Sequence, residues 1–273
     1  MSSYKTVFPA IFTALLLFFT PPFAILRSIA VMSAVSLVNY QNSVFKTNNF
    51  NIKIPGGIST AYTDWYPFVM TFNASIGFQK FTGNDSLLMS IKYNFPYFSF
   101  FKGCSQLFNS TSPYLGSFYG AYAVSSANNT AYGFYENGTL NIEDSSLIMQ
   151  YDLLNLVLKD FGISKTEVIY NQHITEKAIV SYAGSDNWTK INAELTINSP
   201  AHNANSFTIS YLQYGKPAFY TVTDFKPVKM YGRVYAKYFK EYNSSIFFYI
   251  ITPSTEVLES CDRDILSKST IID

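Results

Sequence analysis

Histidine is the side chain that most often carries acid–base chemistry near neutral pH, and this chain of 273 residues has two, His173 and His202. Each lies in a polar stretch with no cysteine or second histidine nearby. The Gly-x-Ser-x-Gly motif and the Asp-Thr-Gly and Asp-Ser-Gly triplets of aspartic proteases do not occur. We therefore predict that both histidines face solvent on strands or loops, and we assign no catalytic residue.

Acidic residues are the remaining candidates for catalysis by paired carboxylates, although sequence separation does not tell which of them meet in space. The candidates are Glu136, Glu143, Asp144, Asp160 and Asp186. Glu143-Asp144 is better explained as negative charge at a helix N-terminus. No Cys-x-x-Cys, His-Glu-x-x-His, Gly-x-Gly-x-x-Gly or phosphate-loop motif occurs, so we expect neither a metal nor a nucleotide cofactor.

Tryptophan beside tyrosine can stack on sugar rings or on the surface of a partner. Trp65 is flanked by Tyr62 and Tyr66, and Trp188 follows Tyr182. Packing in the core is the competing interpretation, because the chain has 22 Tyr and 25 Phe to bury. Trp65, Tyr66 and Trp188 are therefore candidate binding residues with a structural alternative.

Acceptor motifs for N-linked glycans, Asn-x-Ser/Thr, occur at Asn73, Asn84, Asn109, Asn128, Asn137, Asn187 and Asn243. A chain this rich in Asn, Ser and Thr would contain about four by chance. Their positions are more informative, because all follow the N-terminal hydrophobic segment and several are in turn-like settings. We expect at least half to be modified in a host with the machinery, and the others to be polar turn residues.

The chain has two cysteines, Cys104 and Cys261, both in the part that we expect to be exported. An even pair in an oxidising compartment favours one disulfide bond. Such a bond would close a loop of about 157 residues and stabilise the fold by roughly 5 kcal/mol in the chain-entropy model. Two free buried thiols are the alternative.

Residues Val7 to Leu26 contain no charged side chain, and a helix of about 20 residues matches the hydrocarbon core of a bilayer. Lys5 before this run also suits a secretory signal, whereas Arg27 directly after it argues against cleavage. A buried core helix is the weaker alternative. We predict a signal peptide or an N-terminal membrane anchor over 1–38 and an extracytoplasmic domain over 39–273, as one unit or as lobes 39–143 and 144–273.

The charge of the chain is low and balanced, with 19 basic and 18 acidic residues and 14% charged residues in all. No block of like charge could follow a phosphate backbone, so nucleic acid is excluded as the expected partner. A surface of hydroxyls and amides also withstands acid, which protonates carboxylates and dissolves ion pairs. In composition alone the chain resembles exported cell-surface proteins of thermoacidophilic archaea. Any secreted protein of low charge is the alternative.

Short runs rich in aromatic and β-branched residues predict an antiparallel sheet. The predicted strands are 50–54, 67–73, 75–81, 86–93, 97–101, 117–124, 130–135, 166–172, 177–183, 189–197, 206–213, 218–225 and 245–251. Ser145 or Asp144 is expected to cap a helix over 147–161. Tyr231, Val234, Tyr235, Tyr238 and Phe239 share a helical stripe after Pro227, and Thr252-Pro253 begins a last helix.

This element order predicts an α+β fold, in which two or three helices cover one face of an antiparallel sheet and a hydrophobic N-terminal helix precedes it. Within it, Ile191, Ala193, Leu195 and Ile197 are predicted to face the core. From Phe50-Asn51-Ile52-Lys53-Ile54-Pro55 to the helix after Phe225, about two-thirds of the chain, the layout is similar to the PsbP-like and Mog1-like fold. That resemblance implies no residue role.

The function predicted from these observations is that of an exported, glycosylated envelope or surface protein with a structural or partner-binding role. An extracytoplasmic module that binds a glycan, a peptide or a small solute is the second hypothesis, and a secreted hydrolase is the third. The expected partners are a membrane, through an uncleaved N-terminal segment, and other envelope proteins or glycans. A flat apolar patch or an open edge strand favours the first hypothesis, and a concave aromatic pocket favours the second.

Overall fold

The structure is a computed structural model that describes residues 44–46, 50–55, 69–96, 98–99, 104–105, 111–157, 169–198, 211–213, 216–218 and 226–272, together with Thr13 and Ala34. Apart from Thr13, the predicted N-terminal helix lies outside these residues, and so do the predictions for Trp65, Tyr66, Asn109, Asp160 and His202. Within them, no helix has the length and apolar character needed to cross a membrane.

The strands are β1 (Val44–Lys46), β2 (Asn51–Lys53), β3 (Val69–Asn73), β4 (Leu87–Asn94), β5 (Phe98–Ser99), β6 (Cys104–Ser105), β7 (Phe118–Ser126), β8 (Tyr170–Tyr182), β9 (Ser185–Asn198), β10 (Tyr211–Gln213), β11 (Lys216–Ala218), β12 (Pro227–Phe239), β13 (Ser244–Thr252) and β14 (Thr270–Ile272). The helices are α1 (Ser75–Thr82), α2 (Ile142–Gln150), which continues as a π-helix (Tyr151–Val157), and α3 (Thr255–Asp264). Short 3-10 turns occupy Lys240–Tyr242 and Leu266–Lys268.

Seven of the described strands form one antiparallel sheet in the order β3-β4-β7-β13-β12-β9-β8. It takes strands from both 39–143 and 144–273. A second sheet has the order β1-β2-β14, and β5–β6 and β10–β11 are separate pairs. The predicted α+β class with an antiparallel sheet is therefore confirmed.

The central strand β13 is buried at all nine positions, because both of its faces are covered. Phe247 and Tyr249 point to what we call the first face, where they pack in one core cluster with α1 and α2. Phe248 and Ile250 point to the second face, where they pack with α3 and β2. The expectation that helices cover one face only was wrong: each face has its own helical layer.

The predicted helix after Pro227 was wrong, because this segment is strand β12, which pairs with β9 and β13. Its aromatic residues divide between the two buried faces, so their spacing imitates a helical stripe.

The predicted strand 75–81 was also wrong. It is helix α1, which ends at Gly83 in the left-handed conformation (φ 70°) that favours glycine. Residues 130–135 form turns with one isolated bridge, Phe134 to Leu140.

The strand pattern predicted for 189–197 was confirmed. Ile191, Ala193, Leu195 and Ile197 are buried, and the residues between them are half-buried. The middle helix was confirmed with a different start, since Asn141 is its N-cap and accepts from the N–H groups of Glu143 (3.1 Å) and Asp144 (3.4 Å).

Candidate functional site

Strand β8 is the outermost strand of the large sheet, with β9 on one side and no described strand on the other. Its hairpin to β9 closes through Ala183 and Gly184, whose φ values of 48° and 75° suit a tight two-residue turn. Most of its 13 residues are exposed, and Ile179 is 66% exposed. Irregular register between Ile174 and Glu176 twists the strand. Among the described strands, β8 is thus a long edge whose outer side has no strand partner.

Asp152 is the most unusual polar residue of the first face, because the π-helix carries its carboxyl into the core at 0% exposure. Its two oxygens accept hydrogen bonds from the hydroxyls of Tyr93 and Tyr122. No described cation pairs with it. Burial raises the pKa of Asp152 to about 7, and the two hydroxyls partly oppose that rise. The carboxyl is therefore neutral in acid and titrates near neutrality.

Further tyrosine packs around this carboxyl. Tyr249 stacks on Tyr122 with ring centroids 4.3 Å apart and donates a hydrogen bond to the Lys92 carbonyl at 3.0 Å. Gly120 permits this close packing, since a Cβ there would lie 1.8 Å from the same carbonyl oxygen. Burial raises the pKa of Tyr93, Tyr122 and Tyr249 well above the ordinary value, so all three hydroxyls remain protonated donors.

A cavity of about 40 Å³ lies between α2 and the first face of the sheet. Ile148 and Met149 line its helix side, and Ile191 and Val234 line its sheet side. Tyr122 in its wall connects it to Asp152. Ligand pockets measure about 300 to 1,000 Å³, so this cavity fits a water-sized molecule and gives no support to a substrate pocket.

Arg233 of β12 is the corresponding polar centre of the second face, with its side chain 7% exposed. Its Nη2 lies 2.5 Å from Glu259 Oε1, and its Nη1 lies 2.7 Å from Asp262 Oδ2. Its Nε donates to Asn192 Oδ1 at 2.8 Å. Because Glu259 and Asp262 belong to α3, this network fixes the helix to the sheet.

Asp262 is also held by two tyrosines. The hydroxyls of Tyr182 and Tyr235 each donate to its carboxylate at 2.6 Å. The two rings stack with centroids 3.5 Å apart. Each part of this arrangement has a packing role, so we assign it no chemistry.

Lys92 is a buried lysine that joins the two sheets at the second face. Its Nζ donates to the carbonyl oxygen of Ile54 at 3.1 Å, and Tyr119 donates to the carbonyl of Pro55 at 2.7 Å. Burial lowers the pKa of Lys92 to about 8. These contacts place the end of β2 beside β4 and β7.

The carboxylates that the sequence suggested for catalysis are not gathered in one described cleft. Glu136, Glu143 and Asp186 are exposed, and Glu143 and Asp144 form the acidic first turn of α2. His173 is exposed on β8, as predicted. No group of three or more metal-ligating side chains occurs in the described part of the chain.

Trp188 is fully buried, which leaves it no face for a ligand. It packs against Phe248 at 5.2 Å between ring centroids, and its Nε1 donates to Ser185 Oγ at 2.8 Å.

Cys261 is a buried free thiol, and the described residues contain no disulfide bond. The side chain of Cys104 is outside the described part, so the predicted pairing stays a prediction.

The glycan acceptors differ in exposure. Asn243 is half-buried, and the other described acceptors are exposed: Asn73, Asn84, Asn128, Asn137 and Asn187.

The sequence analysis missed three buried polar residues, Asp152, Arg233 and Lys92. Each is the only charged residue in a mainly apolar segment of the sequence. A single charged residue within an apolar run was the signal that could have identified them.

Comparison with known proteins gave no match to this chain among family models, curated proteins or solved structures. The resemblances drawn from composition and from element order stay predictions.

Proposed function

We propose that this protein is an exported cell-envelope or surface protein whose globular domain has a structural or partner-binding role. The observation that supports it most is the edge strand β8, which is 13 residues long and lies outermost among the described strands of the sheet. An extended segment of another chain can join such an edge through main-chain hydrogen bonds, with side chains of alternate residues giving specificity.

We infer that the partner at β8 is a different chain, because the two central registers disfavour a second copy. Residues that face each other in an antiparallel pair share one face of the sheet. A two-fold axis at the middle of β8 would therefore place Glu176 opposite its own copy, or Lys177 opposite its own copy. Both residues are exposed, and like charges in these positions destabilise the pair.

The acidic surroundings expected from the composition agree with the interior of the domain. Asp152 is buried without a described cation and is easiest to accommodate when it is protonated. A surface protein in an acidic medium meets that condition without an internal counter-charge.

Export and the role of β8 can be tested together in cells that produce the full chain. Ile179→Cys places a thiol on β8, and Ile76→Cys places one on α1, where Ile76 is 72% exposed. We expect the full chain in the membrane fraction or the medium, and a thiol-reactive cross-linker to join the Ile179→Cys protein to one partner of discrete mass. The Ile76→Cys and wild-type proteins should give no such product.

Recovery of the soluble full-length chain from the cytoplasm would overturn the export proposal. Equal cross-linking at positions 76 and 179 would overturn the role of β8, and so would a product that contains two copies of this chain.

A further inference from the structure

The described glycan acceptors lie toward one end of the large sheet. This end is defined by the residue pairs Leu87–Ser126, Ser125–Ser244 and Phe239–Ser244, at which β4 and β13 begin and β7 and β12 end. Asn84 precedes β4, Asn128 follows β7 and Asn243 precedes β13. We call this the acceptor end.

The remaining described acceptors lie at the same end. Asn187 is the third residue of β9, directly after the β8–β9 hairpin. The start of β9 lies beyond the pair Ala236–Thr189, near the end of β12. Asn73 is the last residue of β3. Asn137 is in the turn between the bridged residues Phe134 and Leu140, and Phe134 packs on Tyr238 near the end of β12 with ring centroids 6.3 Å apart. Six acceptors separated along the chain thus lie toward the same end of the sheet, spread across it from β3 to β9.

The first described strands run between the two ends of the sheet. Phe50, just before β2, stacks on Tyr242 at the acceptor end with ring centroids 4.6 Å apart, and Ile54, just after β2, accepts from Lys92 toward the far end. β1 is antiparallel to β2, and Val44 pairs with Lys53, so Val44 lies on the side of the far end.

A glycan is attached through the Nδ2 atom of asparagine. In two of the acceptor asparagines, the side chain is fixed by hydrogen bonds to its Oδ1 atom, which leaves Nδ2 outside those bonds. Asn84 Oδ1 accepts from the N–H (3.0 Å) and the hydroxyl (2.7 Å) of Ser86. Asn137 Oδ1 accepts from the same groups of Thr139 at 3.0 Å and 2.7 Å. Among the described contacts, Nδ2 of neither asparagine has a hydrogen bond, and both residues are exposed.

Asn243 is the exception, because its Nδ2 is used inside the fold. It donates to the Ser126 carbonyl at 2.8 Å and to Asn129 Oδ1 at 2.9 Å. The residue also has a φ of 49° in the turn between β12 and β13. A sugar on this nitrogen would replace one of its two hydrogens, so at least one of these hydrogen bonds would be lost and the turn weakened.

We propose that N-linked glycans occupy the exposed asparagines of the acceptor end and that Asn243 is unmodified, so that the glycans cover this end of the sheet. The exposed acceptors are Asn73, Asn84, Asn128, Asn137 and Asn187. The proposal rests on the export described above. The co-reactant is a lipid-linked oligosaccharide diphosphate: Nδ2 forms a bond to the anomeric carbon, the carbon–oxygen bond to phosphate breaks, the phosphate leaves with the electron pair, and Nδ2 loses a proton.

The test uses the full chain produced in a host that exports and N-glycosylates proteins. Mass spectrometry of glycopeptides from the exported fraction should find glycans at three or more of the five exposed sites and none at Asn243. Asn84→Gln and Asn137→Gln should each remove the mass of one glycan. Asn243→Gln, the matched control, should leave the glycan mass unchanged and lower the melting temperature of the protein.

Modification of Asn243 in the folded, exported protein would overturn this inference and leave the proposed function intact. Modification of two or fewer of the five exposed sites in the exported protein would do the same. An unmodified chain confined to the cytoplasm would instead overturn the proposed function on which the inference rests.

Discussion

The two faces of the sheet hold nearly the same polar group in different surroundings. On the first face, Asp152 accepts hydrogen bonds from Tyr93 and Tyr122. On the second face, Asp262 accepts from Tyr182 and Tyr235. The difference is one cation: Arg233 contacts Asp262 at 2.7 Å, and no described cation contacts Asp152.

This difference shows how one carboxyl group can be buried in two ways. A carboxylate removed from water needs a counter-charge and full hydrogen bonding, or it takes up a proton. The second face supplies the counter-charge through a guanidinium group. The first face supplies two neutral donors, so the group there is best tolerated as the acid. We therefore expect the two faces to respond differently to mutation and to pH.

The largest effect is expected from the removal of Arg233. Arg233→Ala leaves the carboxylates of Asp262 and Glu259 without their cation at a site where the arginine side chain is 7% exposed. Removal of one partner from a buried ion pair costs about 3 to 5 kcal/mol. Urea denaturation near pH 7 should show that loss in the free energy of unfolding.

Lys229→Ala is the matched control on the same strand. Lys229 pairs with Glu194 at 2.9 Å, but the two side chains are 55% and 41% exposed. Pairs of this kind contribute about 0.2 to 1 kcal/mol. Similar losses for the two variants would show that the Arg233 network is no stronger than a surface pair, and the comparison of the faces would lose its basis.

The next effect is the pH dependence caused by Asp152. Its folded-state pKa is raised to about 7 from an ordinary value of about 3.9, so its contribution to stability is complete below about pH 4 and is lost as the pH rises through 7. The wild type should lose up to about 1.4 kcal/mol per pH unit within that window. Asp152→Asn should remove this slope, because the amide does not titrate.

Denaturation of the wild type and of Asp152→Asn at pH 4, 6 and 8 measures the slope directly. We expect the variant to match or exceed the stability of the wild type at pH 8. Parallel curves for the two proteins would mean that Asp152 is ionised in the fold across this range, and that the first face contains a counter-charge.

The fold was predictable from the sequence where an element alternates strictly or is apolar throughout. The alternation at 189–197 and the continuous apolar run of β13 gave the correct elements. β12 failed because its apolar residues face both sides of the sheet and are interrupted by charged residues, so they follow neither pattern. α1 failed because eight residues, of which only Ser75 and Phe78 are buried, show too little periodicity to separate a helix from a strand.

The buried polar groups were harder to predict because their roles depend on partners far along the chain. Asp152 meets Tyr93 and Tyr122 from two strands, and Arg233 meets Glu259 and Asp262 from a helix. The π-helix also shifts the register of Asp152 away from that of a regular α-helix, which turns a polar residue inward. Acceptor motifs could be read from the sequence, but their common end depends on the strand order.

The smallest effect is expected at Glu259. It tests whether stability changes with pH in opposite directions on the two faces. Hydrogen bonds from the Arg233 guanidinium lower the pKa of this carboxyl. Its stabilising contribution is therefore present above the unfolded pKa of about 4.3 and is lost as the pH falls through the folded value, which is opposite to Asp152. The side chain is 59% exposed, so solvent and salt screen the pair and the contribution is at most about 1 kcal/mol. Glu259→Gln should be less stable than the wild type at pH 6 and equally stable near pH 2. At pH 6 the difference in stability should shrink in about 0.5 M salt, roughly three times the physiological ionic strength. A gap that widens in acid would contradict this assignment and would mean that Glu259, like Asp152, favours the protonated form in the folded protein.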